Sequence, residues 1–415
     1  MELFIKDNKY FINNVLSSFF NKEEIKEFSQ KEINYKRVSS GKNTIRSTEK
    51  RQINLEIGNG YLLNLQVDLL LTYAQSRLNK NKLIELLFLL GRYAITSGEF
   101  NTAVYIYEKI INETGGDSSL LNLSASAQLA LGEIYNRIAA WQLSNAHIKK
   151  AYASFKKLND IRGCSNCLNM LGTFYGERGE IIKAKKYFEQ SLALLEKIND
   201  QTIKSKIEIN LGIINNILGS FEAALSYYRR ALLYFEKIKD LNRIAEIRHN
   251  MGMLYTKKND LKTAVKEFDV SISYAMQSGN VPSLGLAYLS KAYIYTLQND
   301  FYLAGAFADK AMEISNKTND KLSVADIYKT KGIIERKLRK YDLSESCLLT
   351  SLRLNRELKN ELNEAETSLE IGRLYKETGR VEESKTYFNN ALKYYKKIKA
   401  NNELKEISRE SSNNS

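Results

Sequence analysis

Few side chains in this chain are suited to metal binding. The 415 residues include two histidines, His147 and His249, and three cysteines, Cys164, Cys167 and Cys347. Cys164-x-x-Cys167 would supply half of a four-ligand zinc site, or a redox pair, but the sequence has no second pair at a matching spacing. The alternative is that both are small residues entering a helix. We therefore expect no metal site.

The same inventory argues against catalysis. An active site needs a nucleophile or an acid–base pair held together in a pocket. His147 and His249 stand far apart, and a lone histidine is more often a hydrogen-bonding contact than a base. The glycines follow a packing pattern and form no phosphate-binding loop. We predict a protein that is not an enzyme and needs no cofactor.

The chain is basic, with a formal net charge of +14. Such a balance can indicate nucleic acid or an anionic membrane surface as a partner. However, the lysines are mixed with acidic residues, as where Lys183, Lys185 and Lys186 are followed by Glu189. This mixing favours an ordinary solvated surface. We expect a protein or peptide partner, and no nucleic acid.

The sequence favours a cytoplasmic location. An odd number of cysteines suits a reducing compartment. No apolar run approaches the roughly 20 residues that span a bilayer. The first residues faintly resemble a signal peptide, but Asn13 and Asn14 interrupt the apolar stretch and no small-residue cleavage site follows.

Most of the chain repeats with a period of forty residues. Between Ser205 and Asp240, one apolar helical stripe ends at Gly219, and a second stripe runs from Phe221 to Phe235. Two helices of this size cannot bury both stripes against each other alone, so they need neighbouring copies. One position of the repeat is always a small residue, which lets two helices approach each other closely. This column is Gly132, Gly172, Gly212, Gly252, Ala292, Gly332 and Gly372.

Two further columns mark helix ends. Glycine and asparagine adopt positive φ most easily, and carboxylates or amides accept from the first N–H groups of a helix. The turn column is Gly179, Gly219, Asn259, Asn299, Arg339 and Gly379. The cap column is Asp160, Asp200, Asp240, Asn280, Asp320 and Asn360.

These columns resemble the tetratricopeptide repeat (TPR). Its Leu-Gly-x-x-Tyr element stands here as Leu131-Gly132 with Tyr135, Leu171-Gly172 with Tyr175, and Met251-Gly252 with Tyr255. The period is forty rather than about thirty-four, and the usual turn proline is missing. The lengthened second helices that this period implies resemble those of kinesin light chain, spindle-orientation adaptors and Rap-type peptide-sensing regulators.

The resemblance implies an all-α fold, a right-handed superhelical solenoid of about eight TPR helix pairs with an N-terminal capping helix. We divide the chain into an N-terminal extension with a basic linker (1–60), the solenoid (61–400) and a polar, frayed C-terminal tail (401–415). Leading helices should start near 84, 125 and 165, and second helices near 100, 141 and 181, with later pairs following at the same period.

In this family the leading helices line a concave groove that holds a peptide. Asn210 and Asn250 resemble the asparagines that grip a peptide backbone, since an amide both donates and accepts; alternatively, asparagine is simply abundant here. The function implied is a scaffold or signalling adaptor, or else a Rap-type regulator; the partner and the oligomeric state stay open. The groove residues carried over are Asn169, Lys206, Asn210, Asn216, Glu246, His249, Asn250, Lys257, Arg336 and Arg373.

Overall fold

The computed structural model describes residues 16–30 and 59–412, and all regular structure in these two ranges is helical. Residues 1–15 and 31–58 of the predicted N-terminal extension lie outside the described part, and with them the whole of the basic linker. The chain divides into two compact units between Ala130 and Leu131. Within the described ranges, no helix is both long and apolar enough to cross a membrane.

The first unit contains the predicted capping helix. The Tyr73 hydroxyl on this helix, α2 (Asn59–Gln75), donates to the Glu24 carbonyl of α1 (22–30) at 2.8 Å. The rings of Phe20 and Phe28 lie 5.6 and 5.4 Å from the Tyr73 ring. The helices that begin in this unit are α1 (22–30), α2 (Asn59–Gln75), α3 (Lys80–Thr96), α4 (Phe100–Thr114) and α5 (Leu121–Arg137).

The second unit continues the helix pairs at the predicted period. With α3/α4 and the pair that α5 begins, the described residues contain eight helix pairs, as expected. After α5, the leading helices are α7 (Ile161–Glu177), α9 (Gln201–Ile217), α11 (Leu241–Lys257), α13 (Val281–Leu297), α15 (Lys321–Lys337) and α17 (Glu361–Glu377). The second helices are α6 (Trp141–Lys157), α8 (Ile181–Leu195), α10 (Phe221–Lys237), α12 (Leu261–Gln277), α14 (Phe301–Lys317), α16 (Tyr341–Glu357) and α18 (Val381–Ile398).

The cap column explains why leading helices begin about four residues earlier than their apolar stripes suggested. The Asp200 carboxylate accepts from the Ile203 N–H at 2.9 Å, so α9 begins at Gln201. The turn column has positive φ throughout. Even Arg339 has φ of 59°, because packing of the repeat overrides the local preference of this residue.

The small-residue column allows the two helices of a pair to touch. A Cβ on Gly212 would lie 2.4 Å from the Tyr228 ring, which leaves no room for a larger residue. In later repeats a serine replaces alanine on the second helix. The Ser344 hydroxyl donates to the Gly332 carbonyl at 2.8 Å, so the close contact also satisfies a buried polar group.

The second unit also contacts itself over long sequence separations, which the repeat columns did not reveal. The Glu361 N–H donates to the Arg178 carbonyl at 3.0 Å, and the buried Tyr394 hydroxyl donates to the Gly179 carbonyl at 2.7 Å. The latter partners are 215 positions apart, about five repeats. Consecutive superhelical turns therefore meet. We call this contact the seam, defined by Trp141, Arg178 and Gly179 on one side and Leu358, Glu361 and Tyr394 on the other.

The predicted polar tail, residues 401–415, needs correction. Asn401–Ser412 forms a helix, α19, and Ile407 within it is 1% exposed. The helix begins forty positions after Glu361, in register with the leading helices. Leu404 and Ile407 stand three apart and join the apolar cluster that contains Ile181. This short stripe was too sparse to outweigh the polar composition.

Candidate functional site

Neighbouring leading helices contact each other through one surface, which we call the inner face. It includes the pairs Asn169–Asn210, His249–Ser290, Lys329–Glu366 and Arg373–Glu410, each joining one leading helix to the next. All the predicted groove residues lie on leading helices of the second unit. Asn169 is on α7; Lys206, Asn210 and Asn216 are on α9; Glu246, His249, Asn250 and Lys257 are on α11; Arg336 is on α15 and Arg373 on α17.

The predicted asparagines lie on the leading helices α7, α9 and α11, but they differ in their hydrogen-bond partners. The Asn210 Nδ2 donates to the Asn169 Oδ1 at 2.9 Å, so these two amides bind each other. The Nδ2 of Asn250 is buried and has no hydrogen-bond partner among the described residues. Asn250 therefore keeps a donor for a ligand, whereas Asn210 has already used one.

Asn216 offers an acceptor on the same surface. Its side chain is 7% exposed, and its Oδ1 finds no partner in the described part of the chain. Its backbone carbonyl accepts from Lys257 Nζ at 3.5 Å. Asn136, two periods upstream, is also buried and has an unpartnered Oδ1 within the described ranges.

His249 is a polar contact held in its neutral form. Its Nε2 is hydrogen-bonded to the Ser290 hydroxyl at 2.9 Å. Burial lowers the pKa of His249, outweighing the hydrogen bond with Asn250 and the charge of Glu246, which act in the opposite direction. A half-buried imidazole that is hydrogen-bonded in this way acts as a polar contact between leading helices rather than as a strong base.

Lys206 and Arg243 form the positive part of the inner face. Arg243 binds Glu246 through an ion pair of 2.6 Å. Burial, and then the charge of Arg243, lowers the pKa of the half-buried Lys206. Lys206 makes no ion pair with any described residue. The charges of Glu133, Asp240 and Glu246 raise this pKa and only partly offset the lowering. A partly desolvated ammonium of this kind favours an incoming carboxylate. Sequence reasoning missed Arg243, which precedes the column read as groove-facing.

The cations of the later repeats are already neutralised by the chain itself. Arg336 is 6% exposed and binds Glu370 at 2.7 Å, and also Glu377. Arg373 binds Glu370 and Glu410, each at 2.6 Å. Arg336 and Arg373, both predicted to line the groove, are therefore members of internal ion pairs.

Glu177 is a feature that sequence reasoning did not find. Its pKa is raised to about 7, first by burial and then by the charges of Asp320 and Asp326. Glu177 ends α7, whereas Asp326 lies on α15, four repeats later. Only the closing of the superhelix brings these carboxylates near each other.

The cysteines lie away from this surface. Cys164 and Cys167 are buried, and burial raises the pKa of both thiols, which disfavours the thiolate needed for metal or redox chemistry. Across the described ranges, no group of His, Cys, Asp and Glu residues is placed to hold a metal ion. The inner face offers amide, ammonium and carboxylate groups, which suit recognition of a peptide.

Comparison with known proteins agrees with the geometry. Two family profiles described as "Tetratricopeptide repeat" match residues 165–201 and 323–397. No curated protein sequence matches the chain significantly.

Several solved structures are similar. A Rap protein complexed with Competence and Sporulation Factor has a TM-score of 0.56 and 12% identity, covering 80% of this chain and 97% of that one. The APC/C hetero-tetramer Cut9–Hcn1 has a TM-score of 0.53 and 16% identity, covering 82% and 59%. BtubC from P. vanneervenii has a TM-score of 0.40 and 19% identity, covering 53% and 92%. At these identities the similarity shows the fold alone.

Proposed function

The chain is a tetratricopeptide repeat protein, and we propose that it is a non-catalytic scaffold whose second unit binds a peptide or helix of a partner protein. The observation that carries this proposal is a set of buried polar groups without partners in the described part of the inner face. They are the Asn250 Nδ2 and the Asn216 Oδ1. The half-buried Lys206 lies on the same helix as Asn216. Burial of unsatisfied polar groups costs about 1–3 kcal/mol each, and a ligand that pairs with them recovers that cost.

The chemistry of these groups indicates the ligand. An amide donor and an amide acceptor on adjacent helices match the C=O and N–H groups of an extended peptide backbone. Lys206, with Arg243 beside it, favours a carboxylate from an acidic side chain or a chain terminus. The proposed ligand is a protein segment with a carboxylate placed against α9 and α11. We propose a cytoplasmic adaptor role, with protein rather than nucleic acid as the partner.

A peptide selected against the full-length protein from a random display library tests the site. Its affinity is measured by isothermal titration calorimetry for the wild type and for Asn250→Ala and Lys206→Gln. A hydrogen bond to a charged group contributes roughly 1.5–3 kcal/mol, so Lys206→Gln should weaken binding by about 10- to 100-fold. Asn250→Ala removes a neutral hydrogen bond and should cost about 2- to 10-fold.

Lys266→Gln is the matched control. Lys266 is exposed on the second helix α12, so the same change of charge is made away from the inner face. Its affinity should equal that of the wild type. If Lys206→Gln and Asn250→Ala bind the selected peptide as tightly as Lys266→Gln does, the inner face of α9 and α11 is not the binding site.

A second candidate function is a peptide-sensing regulator of the Rap type. The similarity in fold across nearly the whole length of a Rap protein favours it. A regulator must change conformation when peptide binds, because a ligand acts only through a difference in affinity for two states. Small-angle scattering with and without the selected peptide separates the two functions. A constant radius of gyration supports the scaffold, and a shift on binding supports the regulator.

A further inference from the structure

The C-terminal helix α19 lies where a ligand of the inner face would meet basic residues. Glu403 forms an ion pair of 3.1 Å with Lys257, and Glu410 binds Arg373 at 2.6 Å. The Glu410 carbonyl also accepts from Lys376 Nζ at 2.5 Å. Lys257 and Arg373 are both residues that the sequence assigned to the groove, so the chain itself occupies part of that surface.

α19 bridges two regions that are distant in sequence. It follows α17 in the register of the leading helices and contacts it through Arg373. A further contact, between Glu403 and Lys257 on α11, spans 146 positions. A Cβ on Gly219, in the turn after α9, would lie 2.6 Å from the Asn402 side-chain amide. The helix therefore sits between the last repeat and the α9–α11 region.

α19 buries little apolar surface. Ile407 is the buried apolar side chain of the helix, with Leu404 partly buried beside it. By contrast, α18 buries Phe388, Tyr394, Tyr395 and further side chains. A helix of 12 residues is marginal in isolation. Elements with little buried apolar surface open first in native-state fluctuations.

We propose that α19 is an internal occupant of a helix-binding surface, and that an acidic amphipathic helix of a partner protein displaces it. The pattern of α19 defines that partner: carboxylates at positions i and i+7, as at Glu403 and Glu410, with apolar residues at i+1 and i+4, as at Leu404 and Ile407. Lys257, Arg373 and Lys376 supply the complementary charge. The inference deepens the proposed function and rests on it for the choice of the inner face.

The test uses the full-length protein and a fluorescein-labelled peptide with the sequence of residues 401–412. In the wild type the tethered helix competes at an effective concentration on the order of millimolar, so the peptide should bind weakly. Ile407→Asp places a charge at a site that is 1% exposed and should release α19. Fluorescence anisotropy should then show binding at least 10-fold tighter than to the wild type.

Asn401→Asp is the control, because it adds the same charge at an exposed position of the same helix. It should behave like the wild type, and a scrambled peptide should bind neither variant. Hydrogen exchange should show faster exchange in 401–412 of Ile407→Asp and unchanged exchange in α7–α17. If Ile407→Asp disturbs those helices, Glu403→Gln combined with Glu410→Gln removes the ion pairs without altering the core.

Equal affinity of the 401–412 peptide for the wild type and the released variant would overturn the inference. So would exchange of α19 in the wild type as slow as that of α18. These results differ from failure of the proposed function. If the library-selected peptide still depends on Lys206 and Asn250 while the 401–412 peptide does not bind, the inner-face site stands and the role of α19 fails.

Discussion

The substitution Gly179→Ala adds a single carbon atom, the Cβ, at the seam. Gly179 has φ of 76°, and an added Cβ would lie 2.4 Å from the backbone nitrogen of Leu362. That nitrogen belongs to α17, across the seam, so rotation of a side chain cannot relieve the clash. The Gly179 carbonyl also accepts the Tyr394 hydrogen bond, and the adjacent Arg178 carbonyl accepts from Glu361.

The expected cost has two parts. An alanine in the left-handed conformation costs about 1–2 kcal/mol. Separation of the seam removes two hydrogen bonds, each contributing about 0.5–1.5 kcal/mol. Together these lower the free energy of unfolding by about 2–5 kcal/mol.

Gly379→Ala is the control that separates the loss of the seam contacts from the conformational cost of alanine at positive φ. Gly379 occupies the same turn column with φ of 77°, and its added Cβ would have no described atom within 4 Å. It should cost only the conformational part, about 1–2 kcal/mol. Urea unfolding followed by circular dichroism measures both variants.

Hydrogen exchange at the Glu361 amide reports on the seam directly, which matters because repeat arrays can unfold in parts. This amide should lose protection in Gly179→Ala and keep it in Gly379→Ala. Equal unfolding free energies for the two variants, with the Glu361 amide protected in both, would refute the seam.

Three further perturbations test the core and the inner face by urea unfolding. Leu211 is 3% exposed, so Leu211→Ala should cost about 2–5 kcal/mol, whereas Leu233→Ala, at a site 71% exposed, should cost under about 0.5 kcal/mol. The pKa of His249 is lowered from 6.5 in the folded state, so stability should fall as pH drops below about 6.5, and His249→Gln should remove this slope. The pKa of Glu177 is raised from 4.5 to about 7, so its contribution to stability declines as pH rises between these values, and Glu177→Gln should flatten that decline.

Features that depend on contacts within one repeat could be predicted from the sequence. Asp200 marks the start of α9, and Gly212 marks the point where α9 meets Tyr228, because each depends on contacts inside one period. The left-handed turn at Arg339 follows from its column rather than from its residue type. Columns in register were therefore sufficient to predict the helix pairs and their bounds to within about four residues.

Contacts between distant repeats could not be predicted from the sequence, because they depend on the sum of many small rotations from one repeat to the next. The charge of Asp326 acts on Glu177, and Glu403 forms an ion pair with Lys257, only because distant repeats of the second unit lie close together. The Asn169–Asn210 hydrogen bond spans adjacent repeats, and no column shows whether two amides bind each other or a ligand. The predicted groove residues do lie on leading helices, but which of them pair with each other could be learned only from the structure.

Photo-cross-linking tests the inner face most directly. A library-selected peptide that carries a benzophenone side chain is irradiated with the full-length protein, and mass spectrometry locates the adducts. We predict adducts on the leading helices α7, α9 and α11, near Asn169, Lys206 and Asn250, and their loss in Lys206→Gln. Adducts confined to the second helices α8, α10 and α12, or to residues 31–58, would contradict binding at the inner face.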